Sequence, residues 1–155
     1  MPNTILRRDI ECKIEDALSR MTSEDKYVLE HNLGERCLAH RFAVHLASVF
    51  SDWDVDCEYN RNGDRLKEIP LSDECRELLR KTDRVVPDII VHKRGPQGPN
   101  LLAIEVKREG QPGEECDLAK LRGYISMIGY SYGFYVCFKT GFVADHIAKK
   151  ALLPQ

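Results

Sequence analysis

The chain has 155 residues, of which 43% are hydrophobic and 31% charged, and this composition excludes a disordered polypeptide. Its 23 basic and 25 acidic side chains give a net charge of −2. A protein that holds long stretches of nucleic-acid backbone by charge alone is usually strongly basic, so any such contact here is local, shared between subunits or supplied by a partner. No apolar run approaches the roughly 20 residues that cross a bilayer, and "MPNTILRRDIECK" lacks the apolar stretch of a secretory signal. We therefore expect a cytoplasmic protein without a membrane partner, folded as one domain over residues 1–155.

The six cysteines are scattered along the chain and include no CxxC pair. Several of them fall at positions with an apolar pattern. This distribution predicts reduced, partly buried thiols rather than disulfides.

The first third of the chain is predicted to be mainly helical. Ile10, Ile14 and Leu18 recur at helical spacing, which predicts a first helix over about residues 5–20 within an N-terminal extension, residues 1–22. Ser23 is then expected to cap a second helix with apolar residues up to Phe50. The "NLG" segment at 32–34 either bends this helix or marks where its well-packed part begins.

The remainder of the chain alternates between strands and helices. "WDVDCEY" at 53–59 has the apolar–polar alternation of a half-exposed strand, and Ser72 is expected to cap a short helix over about 73–81. The segments "VVPDIIVH" and "LLAIEVK" flank a Gly- and Pro-rich turn, which predicts an antiparallel hairpin. The last predicted elements are a helix at 116–128, a strand at 132–139 and a C-terminal helix at 142–152.

Both faces of the hairpin strands are apolar, which predicts helices on both sides of the sheet. The fold class is therefore expected to be α/β, with a mixed four-stranded sheet flanked by helices.

Three charged residues interrupt the apolar hairpin. Glu105 and Lys107 lie on one face of the second strand, about 7 Å apart, and such charges are costly unless something pairs with them. Asp88 begins the first strand, so antiparallel pairing brings it beside the end of the second. Two converging carboxylates form an oxygen site suited to Mg²⁺ or Mn²⁺. The alternative for Glu105 and Lys107 is a structural salt bridge or a solvated strand end.

Pro87-Asp88 followed by Glu105-Val106-Lys107 resembles the motif of the PD-(D/E)XK nuclease superfamily. The common core of that restriction-endonuclease-like family runs helix, three strands, helix, strand (αβββαβ), and residues 33–139 can be arranged in that order. Glu35 matches the glutamate that many members carry on the helix before the first core strand. The "DLAKLRGYI" segment at 117–125 is similar to the family helix that follows the motif.

The resemblance implies a role for each matching residue. Asp88 and Glu105 would be metal ligands, together with the Val106 carbonyl, and Lys107 would be the catalytic base or the group that orients water. Glu35 would be an accessory ligand or would hold a water on the metal. Lys120 would face the active centre, where it could contact a substrate phosphate, or else it is a lysine of the helix surface.

The function expected from this resemblance is Mg²⁺- or Mn²⁺-dependent hydrolysis of phosphodiester bonds by a DNA endonuclease. A homodimer is compatible with it, since a double-strand cut needs two sites and one small domain has one. The alternative is a nuclease-like fold that serves as a non-catalytic module for nucleic-acid binding or for assembly with a protein partner. A third possibility is an unrelated α/β domain whose strand charges are structural.

Overall fold

A computed structural model describes residues 5–59, 69–79 and 85–155. Its helices are α1 (Arg7–Glu24), α2 (Lys26–Glu30), α3 (Glu35–Val49), α4 (Asp73–Leu79) and α5 (Glu114–Gly123), and α5 continues into a π-helical turn, Tyr124–Ile128. Its strands are β1 (Asp54–Cys57), β2 (Ile89–His92), β3 (Asn100–Arg108), β4 (Tyr132–Phe138) and β5 (Ile147–Leu153). Within the described residues, no helix is both long and apolar enough to cross a membrane.

The described strands form one mixed sheet of five, in the order β1-β2-β3-β4-β5. β2 pairs antiparallel with both β1 and β3, so the predicted hairpin is confirmed. β3 and β4 are parallel and are connected through α5, whereas β5 returns antiparallel along β4. The carboxyl ends of β3 and β4 therefore meet at the same end of the sheet, beside the start of β2.

Each face of the sheet buries its own apolar core, because the central strands are apolar on both sides. On one face, α1 and α3 pack Ile14 and Phe42 against strand residues such as Ile104. On the other face, α5 and the π-helical turn pack Leu121 and Tyr124 against Ile90 and its neighbours. Helices thus flank the sheet on both sides, as its two apolar faces predict.

The predicted C-terminal helix at 142–152 is wrong, because Ile147–Leu153 forms β5, and the predicted four strands are accordingly five. Alanine, lysine and leucine favour helices in isolation. Here the backbone N–H and C=O groups along β4 would be left unpaired at a sheet edge, and β5 satisfies them through a register that runs from Gly133↔Leu153 to Phe138↔Ile147. Tertiary pairing overrides local propensity in this segment.

The N-terminal helices also differ from the prediction. The first helix extends to Glu24, and Ser23 does not cap a second helix, because it lies within α1, where its Oγ donates to the Arg20 carbonyl. The chain is not helical over His31–Gly34, so "NLG" separates α2 from α3. The N-terminal extension packs closely on the rest of the domain, since the inward side chains of α1 are buried in the same core as α3.

The short helix after Ser72 is present at Asp73–Leu79, and Ser72 Oγ accepts a hydrogen bond from the Cys75 N–H. Residues 80 and 81, which were predicted to end this helix, lie outside the described residues.

The expectation of reduced thiols is wrong for Cys75 and Cys116, which form a disulfide across 41 positions. Their encounter depends on α4 lying against the start of α5, which no local sequence pattern encodes.

Candidate active site

The start of β2 and the end of β3 bring two carboxyl groups together. Ile89 pairs with Ile104 in the antiparallel register, so Asp88, which precedes Ile89, lies opposite Glu105, which follows Ile104. Each carboxyl group is close enough to influence the pKa of the other. Asp88 is held further by the Val106 N–H, which donates to Asp88 Oδ2 at 2.8 Å.

Glu105 is almost fully buried and Asp88 is partly buried, and both carboxyl groups are harder to ionise as a result. Glu105 is only 2% exposed, and burial, with the neighbouring charge of Asp88, raises the pKa of Glu105 well above its usual range. Burial also raises the pKa of Asp88, against the lowering effect of the Val106 N–H. Two acids that are held together in a dry environment favour a shared proton, or a cation that takes the proton's place.

One wall of the site is provided by α5 and the π-helical turn. Lys120 Nζ donates to Glu105 Oε2 at 3.2 Å, and the Tyr124 hydroxyl donates to Glu105 Oε1 at 3.1 Å. Burial disfavours the Lys120 ammonium, but the charges of Glu105 and Asp117 outweigh that effect and raise the pKa of Lys120 above its ordinary value. Lys120 therefore carries a fixed positive charge beside the acid pair.

Lys107 lies further from the acid pair than Lys120. Its Nζ donates to the Pro112 carbonyl at 2.9 Å and forms an ion pair with Asp117 Oδ2 at 2.9 Å. Asp117 Oδ1 is in turn 3.0 Å from Lys120 Nζ, so Asp117 connects the two lysines. The structure thus joins Lys107 to Glu105 through two intervening side chains.

Glu35 lies at the same end of the sheet. It is the first residue of α3, and its Oε1 accepts a hydrogen bond from the Arg108 N–H at 3.2 Å. An open pocket of about 590 Å³ is lined by both Glu35 and Asp88. Arg36 and His40 of α3 and Glu58 also line it, which gives the carboxyl pair a solvent-facing approach from the α3 side.

Asp117 and Tyr124 belong to this site but were not singled out from the sequence. Asp117, Lys120 and Tyr124 are spaced three and four residues apart, so they lie on one helix face, and this spacing was the signal available. Tyr124 also follows the helical repeat of apolar residues such as Leu121 and Ile125, which indicates a core position. Its ring is buried, while its hydroxyl reaches Glu105 from the start of a π-helical turn, a type of distortion that is frequent at functional sites.

The donors present are of the type that a hard divalent cation takes. Over residues 5–59, 69–79 and 85–155, no three histidine, cysteine, aspartate or glutamate side chains are grouped so as to hold a metal ion. Asp88 and Glu105 nevertheless supply two adjacent carboxyl groups, and each carboxylate oxygen has lone pairs beyond those that Val106, Lys120 and Tyr124 use. Because the N–H and C=O of one strand residue face the same side, the Val106 carbonyl lies on the β2 side of β3, where its N–H meets Asp88. This set of oxygen donors fits Mg²⁺ or Mn²⁺.

Comparisons with known proteins return no match, whether with family models, curated sequences or solved structures.

Proposed function

We propose that this protein is a Mg²⁺- or Mn²⁺-dependent nuclease that hydrolyses phosphodiester bonds in nucleic acid, with DNA as the substrate. The observation that carries the proposal is the convergence of Asp88 and Glu105, from adjacent antiparallel strands, beside the buried ammonium of Lys120. Buried acids with raised pKa values next to a fixed positive charge are costly for folding, and such arrangements concentrate at functional sites.

The order of the elements supports a restriction-endonuclease-like core. Helix α3 is followed by strands β1, β2 and β3, then by α5 and β4. This is the order of the PD-(D/E)XK core, with α4 inserted between β1 and β2 and with β5 added at the far edge. The proposed ligands lie where the resemblance expects them, at the start of β2 and the end of β3.

In this proposal Asp88, Glu105 and the Val106 carbonyl would hold the cation, with Glu35 as an accessory group. When bound, the ion supplies Lewis acidity toward a phosphate and makes water a nucleophile at neutral pH. Lys120 places a permanent positive charge at the carboxyl pair, which favours the negative charge that builds on a phosphate during attack. Lys107 is paired as an ammonium with Asp117 and donates to the Pro112 carbonyl, and it would orient the attacking water when that ion pair opens.

The test is cleavage of plasmid DNA, single-stranded DNA and RNA in the presence of Mg²⁺, Mn²⁺ or EDTA. We expect metal-dependent cleavage that Asp88→Asn abolishes, because Asp88 is a proposed ligand. Asp56→Asn is the matched control, since Asp56 lies on the same sheet but is paired with His92 and Arg94. Cleavage that survives Asp88→Asn would exclude the assigned site.

A non-catalytic nucleic-acid-binding or assembly module is the second candidate. The observation that favours it is the completeness of the network, in which Lys120 and Tyr124 already occupy both oxygens of Glu105. A module of this kind would bind nucleic acid or a protein without cutting any of the three substrates, and Asp88→Asn would leave that binding unchanged.

A further inference from the structure

Two exposed aromatic rings and a histidine form a cluster on the surface, which we call the aromatic platform: Tyr27, His31 and Phe142. Tyr27 and Phe142 are 69% and 80% exposed. The rings of Tyr27 and His31 stack with centroids 3.9 Å apart, and Phe142 approaches His31 edge-on at 5.8 Å. Large exposed rings that cluster together, rather than lying singly on the surface, are a feature of contact surfaces.

The platform is held by one backbone and one side-chain hydrogen bond between two separate parts of the chain. The Gly141 N–H donates to the carbonyl of Leu29, a core residue, at 2.9 Å. The Thr140 hydroxyl donates to Asn32 Oδ1 at 2.7 Å. The loop that carries Phe142 is therefore fastened to the end of α2, and the rings are arranged before any ligand arrives, which lowers the entropic cost of binding.

The platform lies at the same end of the sheet as the candidate active site. Glu35 directly follows the His31–Gly34 segment and accepts a hydrogen bond from the Arg108 N–H. Arg108 pairs with Phe138, the last residue of β4, and the loop to Phe142 begins there. A polynucleotide whose phosphate lies at Asp88 can therefore continue past Glu35 toward the platform.

Exposed cations lie next to the rings in sequence. Lys26 precedes Tyr27, with a side chain that is 68% exposed, and Lys139 precedes the Phe142 loop, with a side chain that is 42% exposed. Their ion pairs, with Glu30 at 3.4 Å and with Glu109 at 3.8 Å, are surface pairs of little strength and can be exchanged for phosphate. Aromatic rings that stack bases, combined with cations that follow the backbone, are the usual means of holding a single strand.

We infer that the aromatic platform binds unpaired nucleobases, so that the nucleic acid taken by this protein is single-stranded beside the point of cleavage. The cleavage part of this statement rests on the proposed nuclease function, whereas the binding part does not. Tyr27 and Phe142 stack on bases, and Lys26 and Lys139 neutralise the adjoining phosphates.

Fluorescence anisotropy with a labelled dT12 oligonucleotide in EDTA tests the inference on the whole chain without any cleavage. Phe142→Leu and Tyr27→Leu keep apolar bulk but remove the ring face, and each should weaken dT12 binding about tenfold, the size of one lost base stack. Phe142→Trp should preserve binding. Val44→Ala, at a 41% exposed apolar position on α3 outside the platform, is the control and should change nothing.

The inference is overturned if the wild-type chain does not bind dT12 in EDTA, or if both leucine variants bind it as tightly as wild type. It is also overturned if Phe142→Leu leaves dT12 binding intact and instead abolishes self-association in sedimentation velocity, since the platform would then be a protein-docking surface. The Asp88→Asn variant separates the proposed nuclease site from the proposed base-binding platform. If this variant still binds dT12 but no longer cleaves, both proposals are supported. Cleavage that survives this variant contradicts only the nuclease site.

Discussion

Glu105 is an acid in an almost fully buried position, and its titration links the site to the stability of the fold. Its pKa is raised by burial and by Asp88 above the ordinary glutamate value of 4.5. A raised pKa in the folded state contributes stability that is complete below the unfolded value and is lost as the pH rises through the folded value. We therefore expect the free energy of unfolding of wild type, relative to Glu105→Gln, to fall as the pH increases above about 4.5. Urea unfolding of both proteins across this range measures the difference.

Asp56 provides a control for this experiment, because its pKa is shifted in the opposite direction to that of Glu105. The hydrogen bond from Arg94 is the largest of the effects that lower the pKa of Asp56 below its ordinary value. Its contribution to stability is therefore present above the unfolded pKa and is lost as the pH falls through the folded one. The difference in the free energy of unfolding between wild type and Asp56→Asn should therefore shrink as the pH is lowered. If the difference in the free energy of unfolding between wild type and Glu105→Gln did not change with pH, Glu105 would not have the raised pKa expected of a buried acid beside Asp88.

The two site lysines should respond differently to removal. Lys120→Met leaves the buried carboxyl group of Glu105 without its cation, whereas Asp117 keeps its ion pair with Lys107, so we expect a loss of about 3–5 kcal/mol in the free energy of unfolding. Lys107→Met leaves Asp117 still paired with Lys120, and its cost should be clearly smaller. Chemical denaturation measures both. Equal losses would mean that Lys120 does not hold the network together.

A cleavage assay on Lys107→Met then separates stability from chemistry. A stable Lys107→Met protein that no longer cuts would support the role of Lys107 in orienting water. Full cleavage by this variant would exclude that role and leave Lys120 as the lysine of the site.

The convergence of Asp88 and Glu105 was predictable because it follows from strand alternation and from the direction of one hairpin. The partner of Lys107 was not, since Asp117 comes from a helix whose packing on the sheet no local pattern fixes. The spacing of Asp117, Lys120 and Tyr124 places them on one helix face, but only the sheet contact shows that this face meets Glu105.

At the scale of elements, the position of α5 depends on close contact with the segment that precedes α4. A Cβ on Gly123 would lie 2.4 Å from Ile69 Cγ2, so Gly123→Ala should destabilise the protein by about 1–3 kcal/mol despite the better helix propensity of alanine. Thermal unfolding measures the effect. In an Ile69→Ala background the penalty should shrink or reverse, and an unchanged penalty would show that Ile69 is not the cause.

The disulfide fastens α4 to the helix that carries Lys120. Because it closes a loop across 41 positions, removing it by Cys75→Ser/Cys116→Ser should cost about 3–4 kcal/mol of unfolding free energy. Cys12→Ser/Cys57→Ser, at two exposed and unpaired cysteines, is the matched control and should have little effect. A reductant should lower the stability of wild type but not that of the Cys75→Ser/Cys116→Ser variant. Unfolding curves that superimpose with and without reductant would contradict the cross-link.

The elements that could be predicted are those whose pattern is set by burial on the sheet, such as β2, β3 and β4. Ile147–Leu153 could not be, because only the open edge of β4 makes it a strand. The Cys75–Cys116 pair likewise depends on a contact between elements that are distant in sequence.

At the scale of the whole molecule, the proposed cation site joins elements that lie far apart along the chain. Asp88 precedes β2, Glu105 belongs to β3 and Glu35 begins α3, so an ion held among them would bind the folded state and not the unfolded chain. Such binding stabilises the folded protein by mass action, by about 2.7 kcal/mol at a concentration one hundred times the dissociation constant. For a chain of this size that corresponds to a rise in Tm of roughly 5–10 °C.

Thermal unfolding in EDTA and in increasing Mn²⁺ or Mg²⁺ measures this rise without depending on cleavage. Asp88→Asn should abolish it, because it removes a charged ligand while keeping an acceptor for the Val106 N–H. Asp56→Asn should preserve it, since Asp56 is engaged with His92 and Arg94, which lie at and beyond the end of β2, away from Asp88. An equal rise in both variants would mean that the ion binds elsewhere on the molecule, and the carboxyl pair would then have to be explained by Lys120 and Tyr124 alone.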